Sequence, residues 1–172
     1  DLTVDDFTAR YEVPNKPVVV TKAVEHWKAL QQWCPDYLAT LEEEPQLFRA
    51  TSATAPLAAN FTLKGYFQYM RQSQEEAPLY LFERDFASKI PALEEDYDVP
   101  KYFSDAHNSQ ETKKTDLFSV IGRDARPDYR WLICGPKKSG SIFHIDPNQT
   151  NAWNVSVHGR KKWIFYPPSV SP

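Results

Sequence analysis

Glycine is scarce in this chain, with 5 in 172 residues and neither a G-x-G-x-x-G motif nor a P-loop. Phosphate-cradling loops need glycine where backbone approaches ligand closely, so the usual nucleotide-binding architectures are excluded. Long apolar runs are also missing. None approaches the roughly 18 residues that a membrane span requires, so no membrane association is expected. The opening Asp1-Leu2-Thr3-Val4-Asp5-Asp6 lacks the basic-then-apolar form of a secretory signal. Cysteine is limited to Cys34 and Cys134, far apart in the chain. Disulfide frameworks use several cysteines in a short chain, so two buried thiols in a reducing, nuclear or cytoplasmic compartment are expected. Nor is there an excess of positive charge. A net charge of −3 argues against a duplex-binding surface, and nucleic acid has no support as a partner.

What is present is a composition of 41% hydrophobic and 25% charged residues, that of a soluble globular domain, with 5 Trp, 9 Tyr and 10 Phe. Thr3 to Arg10 reads as a short helix, capped by Thr3, with Asp5 and Asp6 where negative charge suits the helix dipole. Pro17 to Val20 is β-branched and reads as a strand. A helical region begins at His26, is interrupted at Cys34-Pro35 and continues from Tyr37 to Glu44. Leu47 to Ala50 is a short strand. Leu63 to Gln72 is a helix, with Phe67 and Met70 on one face. Pro78 to Phe82 is an apolar strand. Residues 104–116, which include His107, are polar and read as an exposed loop.

The last third changes character. Tyr129 to Cys134, Ser141 to Asp146, Asn151 to Val157 and Lys161 to Tyr166 read as four strands, with turns at Gly135 to Gly140, Pro147-Asn148 and Gly159. Short turns between consecutive strands predict an antiparallel sheet or barrel.

Side chains two apart on a strand share a face, so His144 and Asp146 project together. An imidazole and a carboxylate so placed can each give one ligand to a single metal. The 2-His-1-carboxylate triad of non-haem Fe(II) sites combines such a pair with a second histidine and leaves positions open for cosubstrate and oxygen. A bare H-x-D fits an ordinary hydrogen-bonded His–Asp pair more often than a ligand pair; the neighbouring strands change that balance. Lys161 shares a face with Trp163 and Phe165. If that face is inward, a buried ammonium needs an opposing charge; its strand supplies none, whereas a dicarboxylate cosubstrate would. Taken alone, Lys161 is a solvated lysine of the Arg160-Lys161-Lys162 run. Asn154 shares a face with Ala152 and Ser156, and its amide is placed to bond the same ligand or order the metal site. Alone, it is an ordinary strand residue.

These residues carry a resemblance. Arg126-Pro127-x-Tyr129-Arg130-Trp131, Gly135-Pro136-x-x-Ser139-Gly140, His144-Ile145-Asp146-Pro147, Ala152-Trp153-Asn154 and Gly159-x-Lys161-x-Trp163 together resemble the Jumonji-C oxygenases, in particular their lysyl hydroxylase, phosphatidylserine-receptor-like branch. The likeness continues upstream through Tyr11-x-x-Pro14-x-x-Pro17-Val18-Val19, Pro78-Leu79-Tyr80-x-Phe82 and Asp96-Tyr97-x-Val99-Pro100-Lys101-Tyr102-Phe103.

The resemblance implies a mainly β fold with flanking helices, a double-stranded β-helix (cupin/JmjC barrel) only partly contained in this chain. Residues 1–125 would be an N-terminal region packing on the barrel, and residues 126–172 its first strands. It also implies that His144 and Asp146 hold Fe(II) as catalytic metal ligands, that Lys161 pairs with the far carboxylate of 2-oxoglutarate, and that Asn154, Ser141 and Tyr80 contact that cosubstrate. The implied chemistry couples decarboxylation of 2-oxoglutarate to hydroxylation of a protein side chain. Lysine hydroxylation comes first and N-methyl demethylation second, through a carbinol that loses formaldehyde.

The third ligand, a histidine, should come from a later strand. His26 and His107 lie in outer regions, and His158 stands roughly 13 Å along the strand from Asn154, at about 3.3 Å per residue. The expectation is therefore one stretch of a longer chain. A non-catalytic Jumonji-like interaction module and a cupin-type hydrolase or isomerase with another metal are the competing readings. The residue at the third ligand position discriminates the first, and succinate release the second. Lys137, Lys138, Arg160 and Lys162 form a basic rim that reads as solvated surface charge.

Overall fold

The computed structural model describes residues 2–103, 125–167 and 169–170. The polar stretch 104–116 and His107 lie outside the described residues. By their internal contacts the residues form two units, Asp1–Trp27 with Tyr97–Tyr129, and Lys28–Asp96 with Arg130–Pro172.

In the first unit, α1 (Val4–Phe7) opens with Thr3, whose hydroxyl accepts the Asp6 N–H at 3.1 Å, and runs into a π-helical turn, Thr8–Glu12. Phe7 is buried against Tyr102 and edge-on against Phe103, with ring centroids 5.0 and 5.5 Å away. Trp27 donates its indole N–H to Asp98 at 2.7 Å, and His26 Nε2 lies 3.0 Å from the same carboxylate. The Trp27 bond, then the His26 contact, hold the Asp98 carboxyl below its ordinary range. Pro17 to Val20, expected as a strand, joins no ladder, and Val19 is exposed. Its β-branching favours extended backbone, but a strand also needs a partner for its N–H and C=O groups.

The second unit holds the sheet. Its antiparallel order is β2 (Ala58–Phe61), β1 (Phe48–Thr51), β3 (Tyr80–Glu83), β4 (Leu132–Cys134). Helices α2 (Ala29–Gln32), α3 (Pro35–Thr40), α4 (Leu63–Gln72) and α5 (Phe86–Lys89) accompany it, and a 3-10 turn covers Pro91–Asp96. Alternation sorts the strand residues by face. Phe48, Ala50, Leu81 and Glu83 point into the core, while Arg49, Thr51, Tyr80 and Phe82 occupy the other face. Helix α4 spans the predicted residues because Thr62 caps it, accepting the Gly65 N–H at 3.1 Å, and because Leu63, Tyr66 and Phe67 form one buried stripe.

Two polar groups inside this core are satisfied. The Tyr66 hydroxyl lies 2.9 and 2.8 Å from the carbonyl oxygens of Leu79 and Cys134, which share its proton, and it accepts the Leu81 N–H at 3.0 Å. It thereby ties β3 to β4, and burial pushes its pKa up. Glu83 pairs with Lys89 at 2.5 Å and accepts the Asp85 N–H at 2.9 Å, the compensation a buried carboxylate requires.

The expected strands at Ser141 to Asp146, Asn151 to Val157 and Lys161 to Tyr166 form no ladder among the described residues, and helical segments outnumber strands there. Only Leu132–Cys134 of the last third is paired, with β3. Ile142, Phe143, Ile145, Trp163, Ile164, Phe165 and Tyr166 are each at least 50% exposed. Period-2 patterning signals extended backbone, but a ladder also needs a neighbouring strand, and none of these stretches has one here. Some side chains still meet: Phe143 and Tyr166 lie 4.9 Å apart by ring centroid, and Trp163 stacks on Phe165 at 5.6 Å.

Candidate metal and cosubstrate site

His144 and Asp146 come together. Nε2 of His144 is 3.2 Å from a carboxylate oxygen of Asp146, and both side chains are about half exposed. Nδ1 of His144 is 2.7 Å from the carbonyl oxygen of Ile142. A carbonyl only accepts, so Nδ1 carries the proton donated to it. In the neutral ring Nε2 is then a bare lone pair facing a carboxylate. Two acceptors at that distance require a proton or a cation between them.

A divalent first-row ion meets imidazole nitrogen and carboxylate oxygen at about 2.0–2.2 Å, as zinc does, so two such donors at a right angle stand about 3 Å apart. The observed separation suits adjacent positions on one ion. A histidine that donates its other nitrogen to a backbone carbonyl is the usual support for such a ligand. Nitrogen and oxygen donors with no thiolate suit iron(II) among other ions. Among the described residues no third His, Cys, Asp or Glu completes a ligand group, and His158 is exposed.

Tyr80, Ser141 and Lys161 gather at a second place. Tyr80 and Ser141 line an open cleft of about 410 Å³ together with Arg49, Thr51, Phe82 and Ile142. The Lys161 ammonium lies 5.9 Å from the Tyr80 ring and 4.6 Å from the Trp163 ring. Lys161 is exposed by surface area, so the inward burial expected of it is not what these residues provide. The aromatic neighbours nonetheless strip enough water from the ammonium to lower its pKa. Burial, with the Cys134 thiol nearby, raises the Tyr80 pKa and keeps its phenol a donor. Asn154 is exposed and lines neither place.

Gly135 makes the Tyr80 position accessible. A Cβ there would stand 1.9 Å from the Ser139 hydroxyl and 2.6 Å from the Tyr80 ring. Cys34 and Cys134 are both free and partly buried, and burial pushes the Cys134 thiol up to about 12, which leaves it unreactive. Arg49 and Thr51 were not picked out from the sequence as site residues, although alternation from the apolar Phe48 and Ala50 assigns them to the cleft face. Another hollow, at the end of α4, is lined by Gln68, Tyr69, Gln72 and Glu75 and brings no pair of metal ligands together.

A family model described as a cupin-like domain matches residues 4–172. The chain is 43% identical over 171 residues to the Arabidopsis thaliana protein named arginine-specific demethylase JMJ22, which covers 99% of this chain and 30% of that protein. It is 35% identical over 170 residues to the Caenorhabditis elegans protein named bifunctional arginine demethylase and lysyl-hydroxylase psr-1, covering 98% of this chain and 40% of the relative. Against the Danio rerio protein named 2-oxoglutarate and iron-dependent oxygenase JMJD4, identity is 28% over 191 residues, with 98% and 42% covered. The chain thus spans less than half the length of each of these relatives. With a family model matched almost from end to end and relatives of these names, the chain belongs to the cupin-like domain family, among its Jumonji-C oxygenases.

Proposed function

We propose that the protein containing this chain is an Fe(II)- and 2-oxoglutarate-dependent oxygenase that oxidises a protein side chain. The observation that carries this reading is the His144–Asp146 pair: an imidazole nitrogen and a carboxylate oxygen 3.2 Å apart, with the imidazole anchored through its other nitrogen. His144 and Asp146 would hold the metal. Lys161 would meet the far carboxylate of the cosubstrate, with hydroxyls from Tyr80 and Ser141 beside it and Asn154 as a further contact. Iron and 2-oxoglutarate, when bound, would supply, with dioxygen as the oxidant, the chemistry that no amino-acid side chain offers. The chain's own part is to fix the two donors relative to each other, to present an ammonium and two hydroxyls to an anion, and to shield them with aromatic surface.

In the same reading the sheet belongs to a double-stranded β-helix whose first strands come from residues 126–172, of which Leu132–Cys134 is the stretch paired among the described residues. The two free cysteines fit a reducing, nuclear or cytoplasmic setting. Lysine hydroxylation is the favoured reaction. Arginine demethylation is the second, supported by the names of two relatives.

The test uses the full-length protein with Fe(II), 2-oxoglutarate and peptides containing lysine and methylarginine. Succinate release is expected in the parent protein and should fall more than about a hundredfold in H144A and D146A, since even supporting residues of metal sites cost 10–100-fold. Hydroxylysine or formaldehyde then identifies the reaction. If the parent protein takes up iron but never releases succinate, the non-catalytic module replaces this reading.

A further inference from the structure

We infer that Arg49 anchors a carboxylate-binding site on the β1 wall of the cleft, distinct from the ammonium of Lys161. The register places it there. Thr51 pairs with Tyr80, and two residues along the same antiparallel strands, past Ala50 and Leu81, Arg49 comes level with Phe82. On its other side Arg49 pairs with Asn60 of β2, which shares its exposed face. Beyond Phe82, Ile133 of β4 continues that face.

The face therefore presents one guanidinium and no acidic side chain, and the rest of the cleft lining is free of carboxylates as well. Among the described residues the Arg49 guanidinium has no ion pair and no hydrogen bond. The contrast within the same unit is informative, because Arg71 pairs with Asp36 and Arg130 with Glu94. Thr51, Tyr80 and Ser141, each a hydroxyl-bearing residue, line the same cleft as Arg49. A planar fork of N–H groups, flanked by hydroxyls and an aromatic ring, matches the two oxygens of a carboxylate.

This inference rests on the oxygenase reading for the identity of what enters the cleft. Two sources then carry the group, the dicarboxylate cosubstrate itself and an acidic side chain of the protein substrate. The experiment separates them. Full-length protein, freed of metal with a chelator, is titrated calorimetrically with glutarate. In parallel, a lysine peptide flanked by glutamates and its glutamine counterpart are followed by fluorescence anisotropy. The variants are R49Q, which removes the charge, and R49K, which keeps the charge but loses the fork. Arg49 is exposed, so both are expected to fold, which circular dichroism checks.

R49Q should weaken glutarate by about tenfold or more if the cosubstrate is the source. It should erase the preference for the glutamate peptide if the substrate is. R49K should fall between R49Q and the parent in whichever arm responds. A change of less than twofold in both arms overturns the inference while leaving the oxygenase reading intact. Glutarate binding that depends on Arg49, in a protein that never releases succinate, sustains the site and removes the oxygenase reading.

Discussion

Two parts of the same unit obey different rules. From Phe48 to Leu93 the chain is closed on itself: Phe48, Leu63, Tyr66, Phe67, Leu81 and Leu93 are fully buried, and the polar atoms of Tyr66 and Glu83 are matched. From Ser141 to Tyr166, where the proposed metal ligands lie, the backbone joins no ladder and many of the apolar side chains are half exposed or more. The buried core sits in the first part, and the proposed metal ligands sit in the second. The lesson is that extended backbone rich in aromatic residues is not yet a sheet; it becomes one only beside a partner.

That contrast can be tested in the 172-residue chain by urea unfolding. The largest effect is expected from F48A, at about 3–5 kcal/mol, because the ring is fully buried in a region with little room to collapse. Next comes Y66F. It keeps the ring but removes the hydroxyl, leaving the Leu81 N–H and the Cys134 carbonyl short of a partner, at about 1–3 kcal/mol. The smallest belongs to I145S, expected within about 0.5 kcal/mol because the side chain is 64% exposed. A loss of 2 kcal/mol or more in I145S would show (on the cavity scale of roughly 2–5 kcal/mol) that the functional stretch is packed after all, and the contrast would dissolve.

Elements with local causes were legible in the sequence. Helix α4 was legible through the helical spacing of Phe67 and Met70, and β1 through the short run Leu47 to Ala50. Strand β2 escaped notice because Ala58-Ala59-Asn60-Phe61 has little β-branched or aromatic content, and only its pairing with β1 makes it a strand. The three unpaired stretches were over-read for the converse reason, a strong pattern with no neighbour. At the site, the spacing of His144 and Asp146 made them a candidate pair, and their 3.2 Å approach appears only in the folded chain. The Lys161 environment depends on Tyr80, which lies far away in sequence and meets it only through the fold. Arg49 was hidden because an arginine in a short strand looks like any surface charge until its cross-strand neighbours are known.

The bare α-carbon of Gly135 limits what this turn can carry. A methyl group on it would fall 1.9 Å from the Ser139 hydroxyl and 2.6 Å from the Tyr80 ring. Both groups occupy the place where the first atom of any side chain would go, so any other residue here obliges the ring or the turn to move. Because Tyr80 lines the cleft, a substitution at this one backbone position reshapes a wall it does not itself touch.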